Sequence, residues 1–148
     1  MPPRVGPPST PVTDLEGVDP AGNPLTVPVG DGPGRTLLLF LSADCDGCGP
    51  FWPAVADTGS LGLVAGERAV VVARDPTAED LDALAGLAVP GTTVVLSGGA
   101  WAAYGVQGPP FFALVEPVVG RVVTEGVAWA VPQVAAAVAR VPRTGREE

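Results

Sequence analysis

At 148 residues the chain is most simply one domain, long enough to bury a real core. Its net charge is −8 and its one basic cluster is Arg140, Arg143 and Arg146 in the tail, so it lacks the positive footprint that nucleic acid or an anionic membrane surface requires. It holds two cysteines and no histidine, which removes most metal and haem chemistry at the outset.

The first 11 residues are proline-rich and read as an extended, mobile arm. Val12 to Gly17 alternates weakly, Asp19 to Pro24 is dense in turn formers, and Leu25-Thr26-Val27 follows, which predicts a small β-hairpin. Asp31-Gly32-Pro33-Gly34 predicts a loop. The run Thr36 to Ser42 is apolar without alternation, the pattern of a central strand covered on both faces. Cys45-Asp46-Gly47-Cys48 comes directly after it. Phe51, Trp52, Val55 and Ala56 then recur at helical spacing, with Pro50 in a first turn and Pro53 placed to kink the helix.

A second buried strand is expected over Arg68–Arg74, and a helix opening at Asp75-Pro76-Thr77 with Leu81, Leu84, Ala85 and Ala88 on one face. Thr92–Leu96 predicts a short strand and Ala100–Tyr104 a helical turn. Phe111–Val115 and Arg121–Thr124, separated by a turn near Gly120, predict an antiparallel pair. Val131, Val134, Ala135, Val138 and Val141 mark a closing amphipathic helix, and residues 142–148 a charged tail. Strands alternating with helices imply a parallel core, and the late pair an antiparallel addition.

The cysteine pair carries the chemistry. A strand delivering Cys45 to a helix N-terminus places its sulfur near unpaired N–H groups and the positive end of the dipole, which favours thiolate. A thiolate attacks a disulfide, and Cys48, separated by two residues, can resolve the mixed disulfide. Structural zinc wants four protein ligands and catalytic zinc three, so a metal site would need Asp44 or Asp46 in an unusual set. The bland alternative is an inert disulfide or two buried thiols.

Several segments resemble the thioredoxin superfamily, and within it the TlpA-like and MauD-like thiol–disulfide oxidoreductases. Phe40 to Cys48 looks like that family's strand, loop and redox motif, and Pro53 falls where its motif helix carries a proline. Tyr104-Gly105-Val106-Gln107-Gly108-Pro109-Pro110 followed by Phe111 to Val115 resembles the segment that ends in a cis-proline facing the disulfide, with Pro110 in register. Gly120 to Val123 with Gly126 is similar to its closing hairpin, and Asp14-Leu15-Glu16-Gly17 with Leu25-Thr26-Val27 to the extra N-terminal hairpin of the TlpA-like branch.

The resemblance implies an α/β thioredoxin-like sandwich, a mixed central sheet flanked by helices with an added N-terminal β-hairpin, over residues 12–141. It implies Cys45 as nucleophile, Cys48 as resolving thiol, and Asp46, Gly47, Pro109 and Pro110 lining a substrate groove. It implies a protein disulfide or dithiol as substrate, with no cofactor and no metal, acting as a monomer. A MauD-like role as a maturation or docking module with a structural disulfide is the non-enzymatic alternative. A thiol peroxidase is a lesser one, because Ser42 stands three residues before Cys45 and Arg121 could serve a peroxide. No stretch approaches the roughly 18 apolar residues of a membrane span, and Met1 to Pro8 lacks a signal-peptide core. The chain as written therefore reads as cytoplasmic, whereas the resemblance points to the cell envelope behind an anchor.

Departures from the pattern sharpen the expectation. Asp44 stands where the family often has tryptophan, and Asp46-Gly47 where it often has a proline-containing pair. Two carboxylates beside Cys45 disfavour thiolate and predict a reducing pair. Leu39 occupies the strand position where thioredoxins proper bury a carboxylate, which leaves Glu116 as a weak candidate base, better read as a solvated strand-end charge. Pro109 has no N–H and can offer a substrate its carbonyl alone. Trp52, Trp101, Tyr104 and Trp129 read as packing residues, with Trp52 the best exception.

Overall fold

A computed structural model describes residues 14–30, 34–117 and 120–142. The proline-rich arm, most of the loop at 31–34 and the tail beyond Pro142 lie outside the described residues. The strands are β1 (Leu15–Val18), β2 (Pro24–Val27), β3 (Thr36–Phe40), β4 (Arg68–Ala73), β5 (Thr93–Leu96), β6 (Phe111–Glu116) and β7 (Arg121–Val127). The helices are α1 (Phe51–Ala54), α2 (Leu81–Leu87), α3 (Gly98–Ala103) and α4 (Val131–Arg140), with 3-10 turns at Asp46–Cys48, Thr58–Leu61 and Pro76–Ala78.

One sheet runs in the order β2-β1-β5-β4-β3-β6-β7. β3, β4 and β5 are parallel, with Leu38 opposite Val70 and Val71 opposite Val94. β6 adds antiparallel to β3 and β7 antiparallel to β6, and the expected hairpin β1–β2 adds antiparallel to β5 through Val18 and Leu96. This is the mixed α/β sandwich expected from the order of elements.

The absence of alternation in β3 has a direct cause. Leu37 and Leu39 face a core shared with α1, Leu84 of α2, and Val134 and Val138 of α4. Leu38 and Phe40 face a second core with Leu15, Val27, Trp101 and Tyr104. All four side chains are fully buried, each contributing about 1.5–3 kcal/mol of transfer free energy. Phe40 also meets Trp101 edge-on at 5.7 Å between ring centroids.

Two helical expectations are corrected. The motif helix is not one kinked rod but the 3-10 turn Asp46–Cys48 and the four-residue α1. Pro50 and Pro53 remove two amide donors within four residues, so the i→i−4 ladder is cut to Val55 N–H on the Phe51 carbonyl, and Trp52 N–H falls back to the Gly49 carbonyl, each at 3.3 Å. The helix expected from Asp75 is split in the same way. Asp75 caps only the 3-10 turn, and Asp80 caps α2 by accepting from the Ala83 N–H at 3.1 Å.

Candidate redox site

β3 delivers the motif. Leu41 N–H still donates to the Val72 carbonyl at 3.2 Å, and the chain then leaves the sheet at the buried Ser42. Cys45 is extended, with φ −99° and ψ 118°, and heads the turn Asp46–Cys48. Its N–H donates to the Ser42 carbonyl at 3.4 Å, and Cys48 N–H donates to the Cys45 carbonyl at 3.3 Å. The turn brings the Cα atoms to 5.4 Å, and the two cysteines are joined as a disulfide.

The two sulfurs differ in access. Cys48 is fully buried in the apolar core with Leu39, Phe51 and Phe112, whereas Cys45 is half-buried, between the exposed Asp44 and Asp46. An incoming group can therefore reach Cys45 and not Cys48. With only short helical pieces behind the motif, the dipole expected to acidify Cys45 is that of a single turn. The acidic neighbours are opposed by less than the sequence suggested. Leu39 is fully buried, so no carboxylate stands at its place on β3 beneath Cys48.

Pro110 lies against this turn. The Pro109–Pro110 bond is cis, and a Cβ built on Gly47 would sit 3.6 Å from both Cγ and Cδ of Pro110. Its carbonyl accepts the Ala128 N–H at 3.0 Å, and Phe111 beside it packs on Phe40 at 6.0 Å between centroids. Cys45, Cys48, Gly47 and Pro110 thus converge at the C-terminal end of β3, with Asp46 and Pro109 as their immediate chain neighbours.

Two residues bear on the site that sequence reasoning missed or misread. Ala128 is buried, but Val127 and Trp129 on either side are 60% and 74% exposed. Trp129 is therefore not a packing residue; Trp52, Trp101 and Tyr104 are. The amide of Gln133 holds this bend, accepting the Trp129 N–H at 3.0 Å and donating to the Val127 carbonyl at 3.1 Å. That clasp is invisible in the helical pattern, which accounts only for the apolar face of α4. The second is Glu79, a half-buried carboxylate between the 3-10 turn and α2. Its Oε1 accepts from Ala43 N–H at 3.1 Å and Ser42 Oγ at 3.2 Å, and its Oε2 accepts from Arg74 N–H at 3.0 Å. Nothing in the local pattern around Glu79 signals a tertiary role.

Glu116 is corrected as well. It is 3% exposed, not solvated, and among the described residues its Oε1 has no hydrogen-bond partner. It ends β6, whose other end is Phe111 beside Pro110, so roughly 16 Å of extended strand separate it from the cysteines. That span removes it as a base. Arg121 pairs with Glu116 across β6 and β7 and shares that distance, while Ser42 Oγ donates toward Asp44 Oδ1 at 2.7 Å, so the pieces of a peroxide site stay apart. Tyr104, beneath Phe40, has its pKa pushed up to about 12 by burial. Among the described residues no group of three His, Cys, Asp or Glu side chains could hold a metal, and no helix is long and apolar enough to cross a membrane.

No family model and no curated protein matches the sequence. Solved structures do match by shape. A putative thiol:disulfide interchange protein DsbE from Chlorobium tepidum superposes with a TM-score of 0.68 at 21% identity, covering 90% of this chain and 94% of that one. A secreted Mycobacterium tuberculosis disulfide oxidoreductase homologous to E. coli DsbE gives 0.60 at 20% identity, covering 86% and 96%. The exposed lipoprotein thioredoxin Etrx1 of Streptococcus pneumoniae gives 0.64 at 19% identity, covering 86% and 98%.

Proposed function

From a chain that has the thioredoxin fold, we propose a thiol–disulfide oxidoreductase that exchanges its Cys45–Cys48 pair with a protein substrate and works as a reductant. The observation that carries the reading is the unequal access of two bonded sulfurs, Cys45 reachable and Cys48 fully buried, in a turn packed under Pro110.

In the reduced form the Cys45 thiolate attacks one sulfur of a substrate disulfide. A Cys45–substrate disulfide forms, and the other substrate sulfur leaves as a thiolate and takes a proton. Cys48 then gives up its proton and attacks the Cys45 sulfur, releasing the second substrate thiolate. Two electrons have passed to the substrate, and the Cys45–Cys48 bond stores the oxidation. Pro110 and Gly47 form the floor of the groove, Pro109 offers its carbonyl, and Val127 and Trp129 supply an apolar rim for the arriving chain. Asp44 and Asp46 disfavour the dithiolate form and so favour the disulfide, which makes the pair reducing. The likeness to a secreted oxidoreductase and an exposed lipoprotein thioredoxin supports action outside the cytoplasm.

Insulin reduction by the wild type, Cys45→Ser and Cys48→Ser tests this. Both variants should lose turnover, and Cys48→Ser should accumulate a mixed disulfide on Cys45. Equal activity in all three chains would leave the disulfide a structural one, as in a docking or maturation module.

A further inference from the structure

We infer that Glu79 is a positioning residue for Cys45, fixing the loop that carries it and holding a negative field over its sulfur; the inference rests on the oxidoreductase reading. The geometry is that of a carboxylate joining two chain ends that β3 and β4 leave open. After β4, Arg74 N–H donates to Glu79 Oε2 at 3.0 Å. After β3, Ala43 N–H and Ser42 Oγ both aim at Oε1, at 3.1 and 3.2 Å. Ser42 in turn receives the Cys45 N–H on its carbonyl at 3.4 Å. Displacing Glu79 would release both residues that set where the Cys45 backbone starts.

Charge follows the same path. Ser42 has one hydroxyl hydrogen, and two carboxylate oxygens converge on it, Asp44 Oδ1 at 2.7 Å and Glu79 Oε1 at 3.2 Å. The shared hydroxyl ties both acids to Ser42, three residues before Cys45. Asp46 adds a third on the motif itself. The cation on the neighbouring strand end, Arg74, is turned away, its guanidinium 5.3 Å from the Trp101 ring centroid. The loop that carries Cys45 is thus held by acids with no turned-in cation among the described groups, and Glu79, being half-buried, is the least screened by salt.

The test needs no substrate, so it stands apart from the insulin assay: pH-dependent alkylation of reduced Cys45, and equilibration of the pair with glutathione. Glu79→Gln removes the charge at nearly constant shape. It should move the alkylation midpoint to lower pH and shift the glutathione equilibrium toward a more oxidising pair, by roughly threefold or more. Glu79→Asp, which keeps the charge, should stay close to the wild-type midpoint. Asp82→Asn, an exposed carboxylate on α2, should change neither readout. A Glu79→Gln chain that matches wild type in both readouts overturns the inference. So does one that loses its fold outright, since Glu79 would then be a structural tie alone. If both readouts shift and insulin is still not reduced, the positioning role stands and the substrate assignment fails.

Discussion

Gly62 offers a quantitative check on how the motif side of the sheet is packed. It ends the 3-10 turn Thr58–Leu61 with φ 79° and ψ 10°, and a Cβ there would lie 2.7 Å from the Ala135 carbonyl oxygen and 3.3 Å from the Ala135 Cα. Ala135 is in the middle of α4, so the obstacle is helix backbone, which cannot swing aside. Gly62→Ala therefore carries two costs. The left-handed backbone costs about 1–2 kcal/mol, and the forced displacement of α4 adds about 1–3 kcal/mol. Gly66 is the internal control, with φ 90° and no atom within 4 Å of its would-be Cβ. Gly66→Ala should pay the backbone cost alone. Guanidinium melts of the three chains should place Gly62→Ala about 1–3 kcal/mol below Gly66→Ala at unchanged m. At about 2–4 °C per kcal/mol, its melting temperature should fall roughly 4–20 °C below wild type. If the two variants agree within about 0.5 kcal/mol, the close approach of α4 to Gly62 is not a real constraint and the packing argument fails.

Other expectations follow from the site and the core. Replacing Asp44 and Asp46 by Asn should lower the Cys45 alkylation midpoint by about half a pH unit each and make the pair more oxidising; an upward move would refute the electrostatic reading. Trp129→Ala should leave stability within about 0.5 kcal/mol, because the side chain is 74% exposed, while raising KM for a protein disulfide severalfold; an unchanged KM would remove the apolar rim from the groove. Tyr104 stays protonated in the folded chain up to about pH 12, whereas the unfolded chain ionises near pH 10. Its contribution is fully present below pH 10 and is lost as the pH rises from 10 toward 12. Tyr104→Phe should abolish that part of the alkaline loss at little cost at neutral pH, since the hydroxyl is buried with no hydrogen-bond partner among the described residues.

What the sequence made legible was whatever leaves a periodic or compositional trace. β3 and β4 stand out because both faces are covered, and the β1–β2 hairpin because turn formers gather between its strands. Cys45, Cys48 and Pro110 could be brought together because each sits at a fixed distance from a strand end. The motif helix was overread, because helical spacing of Phe51, Trp52 and Val55 records which residues face the core, not whether amide donors exist to build the ladder. Trp129 was misread because an aromatic side chain is usually packed, and its exposure depends on the Gln133 clasp. Glu79 left no trace, since two of its three partners lie 36 and 37 residues earlier, across a crossover. Glu116 looked solvated from its place at a strand end, yet the fold buries it.

The outer borders of the sheet bear on a different hazard. β2 is four residues long, begins with Pro24 and is followed by Pro28, so it offers few amides to a visiting strand. β7, at the opposite border, is interrupted by a register shift against Leu114/Val115 and carries the exposed Arg121. A protein whose proposed work is to meet extended segments of other chains beside Pro110 would be prone to co-aggregate with them if its borders could template further strands. Both borders are blunted, so a chain exchanging a disulfide at the proposed groove would find few free amides on which to extend the sheet.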